Sequence, residues 1–114
     1  MIQRFDVGPR MSEMAIHNGV VYLAGQVADD AGQDIRGQTR QVLAAVDALL
    51  AQAGTDKSKL LRVEIFLKDI TDFDGMNQIW DEWVVPGHTP PRATVQARLA
   101  NEEWRIEVLV TAAV

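Results

Sequence analysis

Apolar and polar side chains alternate between Pro90 and Val114, and this alternation restricts the fold more than any other feature of the chain. The pattern runs as far as Leu99, stops at the polar residues 101–103 and resumes from Trp104. A period of two is typical of a β-strand that buries one of its faces. We therefore predict two strands that are joined by a short polar loop and form a β-hairpin.

Three residues of this predicted hairpin carry groups that are able to bind a ligand, namely Arg92, Thr94 and Glu107. If the loop has an even number of residues, all three side chains lie on one face of the sheet, because side chains alternate faces along a strand. A cation, a hydroxyl and a carboxylate on a shared face favour a site for a small polar ligand. The alternative is that this face is simply exposed to water, as is common in antiparallel sheets.

The N-terminal part of the chain also has strand patterns. Residues 2–7 and 11–17 are followed by Asn18-Gly19, which favours a two-residue hairpin turn because both residues tolerate a positive φ. The next predicted strand, Val20–Val27, is apolar nearly throughout, and we expect it to be covered on both faces. Gly25 lies inside this strand and indicates a bulge, close packing or the approach of a ligand.

One long stretch has the period of an α-helix. It begins near Ile35, or only after Gly37 because glycine disfavours a helix interior, and it ends at Gly54. Its apolar stripe consists of Thr39, Val42, Leu43, Val46, Leu49, Leu50 and Ala53. We interpret it as a helix that covers one face of the sheet.

Residues 61–68 alternate like a strand and precede a second predicted helix. This helix begins at Thr71 or Asp72, which are both suitable N-caps, and runs to about Val84. Its buried stripe consists of Phe73, Met76, Ile79, Trp80 and Trp83. We interpret this aromatic stripe as part of the core and not as a cofactor site.

The order of the predicted elements is strands, helix, strand, helix and hairpin. This order favours an α+β fold, with two helices on one face of a mostly antiparallel sheet. The other face has no cover within the chain, so we expect it to associate with further copies. The length of 114 residues fits a single domain, 1–114.

Composition and charge make several classes of function unexpected. A net charge of −5 disfavours nucleic acid as a partner, and the lack of cysteine removes thiol nucleophiles and thiolate ligands. No metal site is predicted, because Asp29, Asp30, His17 and His88 have no further ligand at a suitable spacing and are expected at the surface. The sequence has neither a signal peptide nor a stretch of about 20 apolar residues, which predicts a cytoplasmic protein without a membrane partner.

Four segments carry a resemblance to a known family: Gly25-Gln26, FLKDITDF before Met76-Asn77, PPRATVQ, and the final WRIEVLVTAAV. On these segments the chain resembles the RidA/YjgF family of reactive-imine deaminases, and most of all its short bacterial, YoaB-like branch. The resemblance covers almost the whole chain. It implies a chorismate-mutase-like α+β subunit, a homotrimer, and three clefts between neighbouring subunits.

The resemblance also implies residue roles in the hydrolysis of 2-imino acids to 2-oxo acids and ammonia without a cofactor. Arg92 is similar to the arginine that binds the substrate carboxylate, and Glu107 to the acid that positions the attacking water. Gly25, Asn77 and Thr94 match positions that line the substrate-binding cleft.

The sequence departs from the family pattern at two positions. Met11 or a neighbour stands where characterised members carry an aromatic residue that covers the pocket, and Thr94 stands where cysteine is common. The alternative function is therefore a trimeric protein that binds or senses a small carboxylate without turning it over. RNA cleavage has been attached to some relatives, but the acidic net charge disfavours it here.

Overall fold

A computed structural model describes residues 1–114 and contains one six-stranded sheet and two α-helices. The strands are β1 (Gln3–Phe5), β2 (Met14–His17), β3 (Val20–Leu23), β4 (Leu60–Leu67), β5 (Arg92–Gln96) and β6 (Ile106–Ala113). The helices are α1 (Ile35–Gln52) and α2 (Phe73–Trp83), and short 3-10 turns precede β4 and α2. The strand order is β1-β2-β3-β6-β4-β5, and every neighbouring pair is antiparallel except β4 and β5. The predicted α+β class with a mostly antiparallel sheet is confirmed.

The predicted C-terminal hairpin is wrong, although both of its strands exist. β5 pairs in parallel with β4 at the edge of the sheet, whereas β6 lies between β3 and β4. The chain passes from β4 to β5 through α2, and a helical crossover of this kind is the usual connection between parallel strands. Alternation along the sequence indicated the two strands correctly but contained no information about their partners.

The Asn18-Gly19 turn is confirmed, because these residues have φ values of +52° and +77° and join β2 to β3. β3 is shorter than predicted, and Gln26 forms only an isolated bridge with Val108. The expectation that this strand is covered on both faces is wrong for the single chain, because Tyr22 is 52% exposed between buried neighbours.

Both helices match their predicted positions. α1 begins at Ile35 and not after Gly37, because the Asp34 carboxylate accepts a hydrogen bond from the Gly37 backbone N–H and so caps the first turn. Gly54 follows its end with a φ of +82°, a conformation that glycine adopts without strain. No helix is both long and apolar enough to cross a membrane.

The core lies between the two helices and one face of the sheet. It contains the inward-facing residues of β4 and β6 together with the apolar stripes of α1 and α2. The other face of the sheet bears exposed Tyr22 and Leu109, and nothing in the chain covers it. The predicted lack of cover on this face is confirmed for the single chain, and its association with further copies stays a prediction.

Candidate functional site

Arg92 is the first residue of β5 and lies against α2. Its position follows from the pairing with β4, in which Arg92 is opposite the fully buried Val63 and therefore on the helix-covered face. The Nη1 atom donates a hydrogen bond of 2.8 Å to Oδ1 of Asn77. The Cζ atom lies 5.0 Å from the ring centroid of Trp80 and 5.9 Å from that of Phe73.

The charge of Arg92 is not neutralised by a carboxylate. The ion pairs of the chain join Arg62 to Glu64, Arg98 to Glu102 and Arg105 to Asp72, and none includes Arg92. Partial burial lowers the pKa of the Arg92 guanidinium, and the nearby negative charge of Asp81 opposes this effect. Arginine remains protonated even so, because its ordinary pKa lies far above neutral pH. No carboxylate of the chain therefore forms an ion pair with this cation.

Thr94 lies two residues beyond Arg92 on the same face of β5, opposite Ile65. Its Oγ1 atom is the one buried side-chain nitrogen or oxygen in the chain that has no hydrogen-bond partner. Such a group costs about 1–3 kcal/mol when it is left unpaired. The Oγ1 atom is inaccessible to water in the single chain, so a ligand or a neighbouring copy pairs with it only if the surrounding side chains move.

Glu107 is on the opposite face of the sheet. It pairs with Phe66, which is three residues from Val63 in β4 and so faces the other way. Its carboxylate lies over the backbone of Gly25, where a Cβ atom would overlap Oε2 and approach Cδ to 2.9 Å. Of the explanations for Gly25, this geometry supports close packing, because a Cβ atom at residue 25 would displace the Glu107 carboxylate from its present position.

The expectation that Arg92, Thr94 and Glu107 share one face of a hairpin is therefore wrong. A single chain brings together Arg92, Thr94 and Asn77 on the helix side of the sheet, and Gly25 and Glu107 on the open side. The hairpin register implied that Arg92 and Glu107 lie on the same face. Because β5 pairs in parallel with β4 instead, the two residues lie on opposite faces. The five predicted site residues form two separate groups.

A cleft of about 360 Å³ opens at the start of β5 and is lined by Arg62, Pro91, Arg92 and Ala93. Of the five predicted site residues it includes only Arg92, and Ala93 faces the open side of the sheet because it is opposite Glu64. Asp29, Asp30, His17 and His88 are exposed, as predicted, and Met11 is an exposed loop residue.

Sequence reasoning missed the contribution of Phe73 and Trp80. Their assignment to the core holds for Trp80, which is 6% exposed, but Phe73 is 38% exposed and lies outside the core cluster. The signal was present in the sequence, because residues 73, 77 and 80 are spaced four and three apart and so share one face of a helix.

The chain is similar to known proteins over its full length. The model of the family described as Endoribonuclease L-PSP matches residues 1–114. A RutC family protein of Haemophilus ducreyi is 49% identical over 114 residues, covering 100% of this chain and 97% of that protein. The RutC family protein YoaB of Escherichia coli is 44% identical, covering 99% of this chain and 98% of its own. The crystal structure of NMB1025 of Neisseria meningitidis, a YjgF family member, has a TM-score of 0.96 at 44% identity and covers 99% of this chain and 94% of that one.

Proposed function

The chain belongs to the Endoribonuclease L-PSP family, which is the RidA/YjgF family with its YoaB-like branch, and from this premise we propose that it hydrolyses 2-imino acids to 2-oxo acids and ammonia. The proposal rests on the burial and the contacts of Arg92. This cation is half-buried and held by neutral groups, and it has no carboxylate of its own. A substrate carboxylate is the natural counter-ion.

Arg92 binds the substrate carboxylate in a bidentate geometry, which a planar guanidinium provides and an ammonium does not. Only one N–H of the guanidinium is occupied by Asn77, so the remaining donors are free for the ligand. The unpaired hydroxyl of Thr94 lies about 7 Å further along the strand, which is two residues of rise. It supplies a further hydrogen bond to the substrate, and Asn77 and Gly25 complete the binding groups.

Glu107 is the proposed general base. It accepts a proton from water while the water oxygen bonds to C2 of the imine, and that proton passes to the imine nitrogen. Glu107 then takes the proton of the new hydroxyl and delivers it to the amino nitrogen as the C2–N bond breaks, so that ammonia and a 2-oxo acid leave and the Glu107 carboxylate is regenerated. These steps use only protein side chains and water, and the proposed enzyme needs no cofactor. Much of the acceleration is positional, because the two reactants are held in contact.

The proposed site is completed by a second copy of the chain. Arg92 and Glu107 face opposite sides of the sheet, so a cleft that contains both needs the edge of one copy against the open face of the next. Exposed Tyr22 and Leu109 give that open face apolar side chains to bury. We propose a homotrimer with three equivalent clefts, which is a closed cyclic assembly.

A second candidate function is favoured by the same division of the site. The carboxylate-binding group, Arg92 with Asn77, is complete within one chain, whereas the acid has to come from another. A protein that binds or senses a small carboxylate needs only the first group. Release of ammonia from a 2-imino acid separates this function from the enzyme.

RNA cleavage, which the description of the family names, has no support in the charge of this chain. A net charge of −5 opposes binding to phosphate backbones, which depends on clusters of lysine and arginine.

The test is the rate at which 2-imino acids disappear after they are generated in situ by an L-amino-acid oxidase. We expect the wild-type protein to accelerate this decay and Arg92→Ala to lose the acceleration. Arg98→Ala is the matched control, because Arg98 lies two residues beyond the end of β5 and its side chain is 90% exposed. If the wild-type protein binds 2-oxo acids but accelerates no imine decay, the protein is a carboxylate binder.

A further inference from the structure

We propose that Phe73 and Trp80 are positioning residues, which fix the guanidinium of Arg92 for a carboxylate ligand while leaving its charge intact. This inference rests on the proposed function, in which Arg92 binds the substrate carboxylate. Neither aromatic residue is proposed to touch the reacting atoms, and both act through Arg92.

Three side chains of α2 surround the Arg92 guanidinium. Phe73, Asn77 and Trp80 lie four and three residues apart on α2, which places their side chains on one face of the helix. All three contact the same guanidinium, with the Asn77 oxygen at 2.8 Å from Nη1 and the two ring centroids within 6 Å of Cζ. A flexible arginine side chain is thereby held at three points by one rigid element.

The side chains that contact Arg92 are uncharged. The face of an aromatic ring carries negative electrostatic potential and attracts a cation, yet the ring itself is uncharged. Arg62, Arg98 and Arg105 are instead held by carboxylates, with nitrogen–oxygen distances of 3.0, 3.7 and 3.4 Å. A ligand carboxylate would have to compete with those acids. At Arg92 no carboxylate lies within ion-pair distance, and the nearby Asp81 acts only at longer range, so the direct contacts of the guanidinium are two rings and an amide.

Phe73 lies at the surface of the chain. This ring is 38% exposed and is absent from the core cluster, so burial in the core does not explain a large apolar side chain at this position. The contact of the ring with Arg92 explains the aromatic side chain instead. Because the ring is not part of the core, it can be replaced without opening a buried cavity.

The test measures binding of two probes to the assembled protein by isothermal titration calorimetry. The probes are 2-oxobutyrate and its neutral amide, 2-oxobutyramide. We expect Phe73→Leu to weaken 2-oxobutyrate binding by roughly two- to fivefold, the range of an exposed cation–π contact, and to leave amide binding unchanged. Phe73→Tyr, which restores a ring, should bind like the wild type. Ile70→Ala, a change at another exposed apolar residue that makes no such contact, should also do so.

Trp80 is buried, so two substitutions at this position are compared with each other. Trp80→Phe keeps a ring and should retain most of the preference for the carboxylate over the amide, whereas Trp80→Leu should lose it. Unfolding in urea, measured in parallel, shows whether the variant has lost stability in general. A change in packing alone would weaken the binding of both probes equally.

The possible outcomes are distinct. Loss of the carboxylate preference in Phe73→Leu, with recovery in Phe73→Tyr, supports the inference. Equal binding of 2-oxobutyrate by wild type and Phe73→Leu overturns the inference and leaves the proposed function standing. Equal weakening of both probes also overturns it, because the ring would then act only through packing. If the wild-type protein binds no 2-oxo acid, both the proposed function and this inference fail.

Discussion

Arg92 and Glu107 lie on opposite faces of the same sheet. Arg92 is opposite Val63 and Glu107 is opposite Phe66, and these two β4 residues face opposite sides because they are three positions apart. The two charged groups therefore cannot meet within one chain without breaking the sheet. Any site that uses both groups has to be built from two copies.

The first prediction concerns the carboxylate-binding residue. Arg92→Ala removes a charge-assisted contact worth about 1.5–3 kcal/mol, and kcat/KM should fall by roughly ten- to a hundredfold. Arg92→Lys should recover only part of this loss, because an ammonium does not form the bidentate pair. The measurement is steady-state imine hydrolysis, with Arg98→Ala as the control. Unchanged activity in Arg92→Ala would remove the arginine from the mechanism.

The second prediction separates binding from chemistry at Glu107. Glu107→Gln keeps the size of the side chain and its contact with Gly25 but removes the base. We expect the dissociation constant for 2-oxobutyrate to change little while kcat falls strongly. Titration calorimetry and the hydrolysis assay measure the two effects. An equal loss of both would point to structural disruption at the open face.

The third prediction tests why residue 25 is a glycine. In Gly25→Ala the new methyl group overlaps the Glu107 carboxylate, which has to move away from its present position. Turnover should therefore fall even though residue 25 is not itself the base. Gly32→Ala is the control, since its methyl group meets only the side chain of Asp30, at 3.1 Å, in an exposed loop. Full activity in Gly25→Ala would show that the position of Glu107 is not critical.

The fourth prediction concerns the unpaired hydroxyl of Thr94. Thr94→Val replaces this hydroxyl with a methyl group of similar size. It so removes an unsatisfied polar atom, which destabilises the folded chain by about 1–3 kcal/mol. The free energy of unfolding should not decrease, whereas binding of 2-oxobutyrate should weaken. Thr94→Ser, which keeps the hydroxyl, should bind the ligand like the wild type. A less stable Thr94→Val protein with unchanged binding would mean that the hydroxyl is paired inside the assembly.

The local structure was largely predictable from the sequence, because it is determined by neighbouring residues. The helix periods, the Asn18-Gly19 turn and the inward residues of β4 all agree with their patterns. The partner of β5 was not predictable from alternation, since the same pattern fits a hairpin and a parallel edge strand. This one error placed Arg92 and Glu107 on the same face.

The family and its candidate site residues came from motifs, and the comparisons support the family. The motifs did not indicate what holds Arg92 in place. Phe73 and Trp80 fit a core stripe equally well, and only the three-dimensional position of β5 brings Arg92 against them. Contacts between a helix and a strand that are distant in sequence are not encoded in the pattern of either element alone.

The measurement that tests the central claim most directly is complementation between two inactive variants. Arg92→Ala and Glu107→Gln are co-expressed with different affinity tags, and trimers that carry both tags are purified in two steps. In every mixed trimer one cleft of the three combines an intact Arg92 with an intact Glu107 from different copies. The account predicts recovery of about one third of wild-type imine hydrolysis. Mixed trimers as inactive as the two parent variants would contradict it.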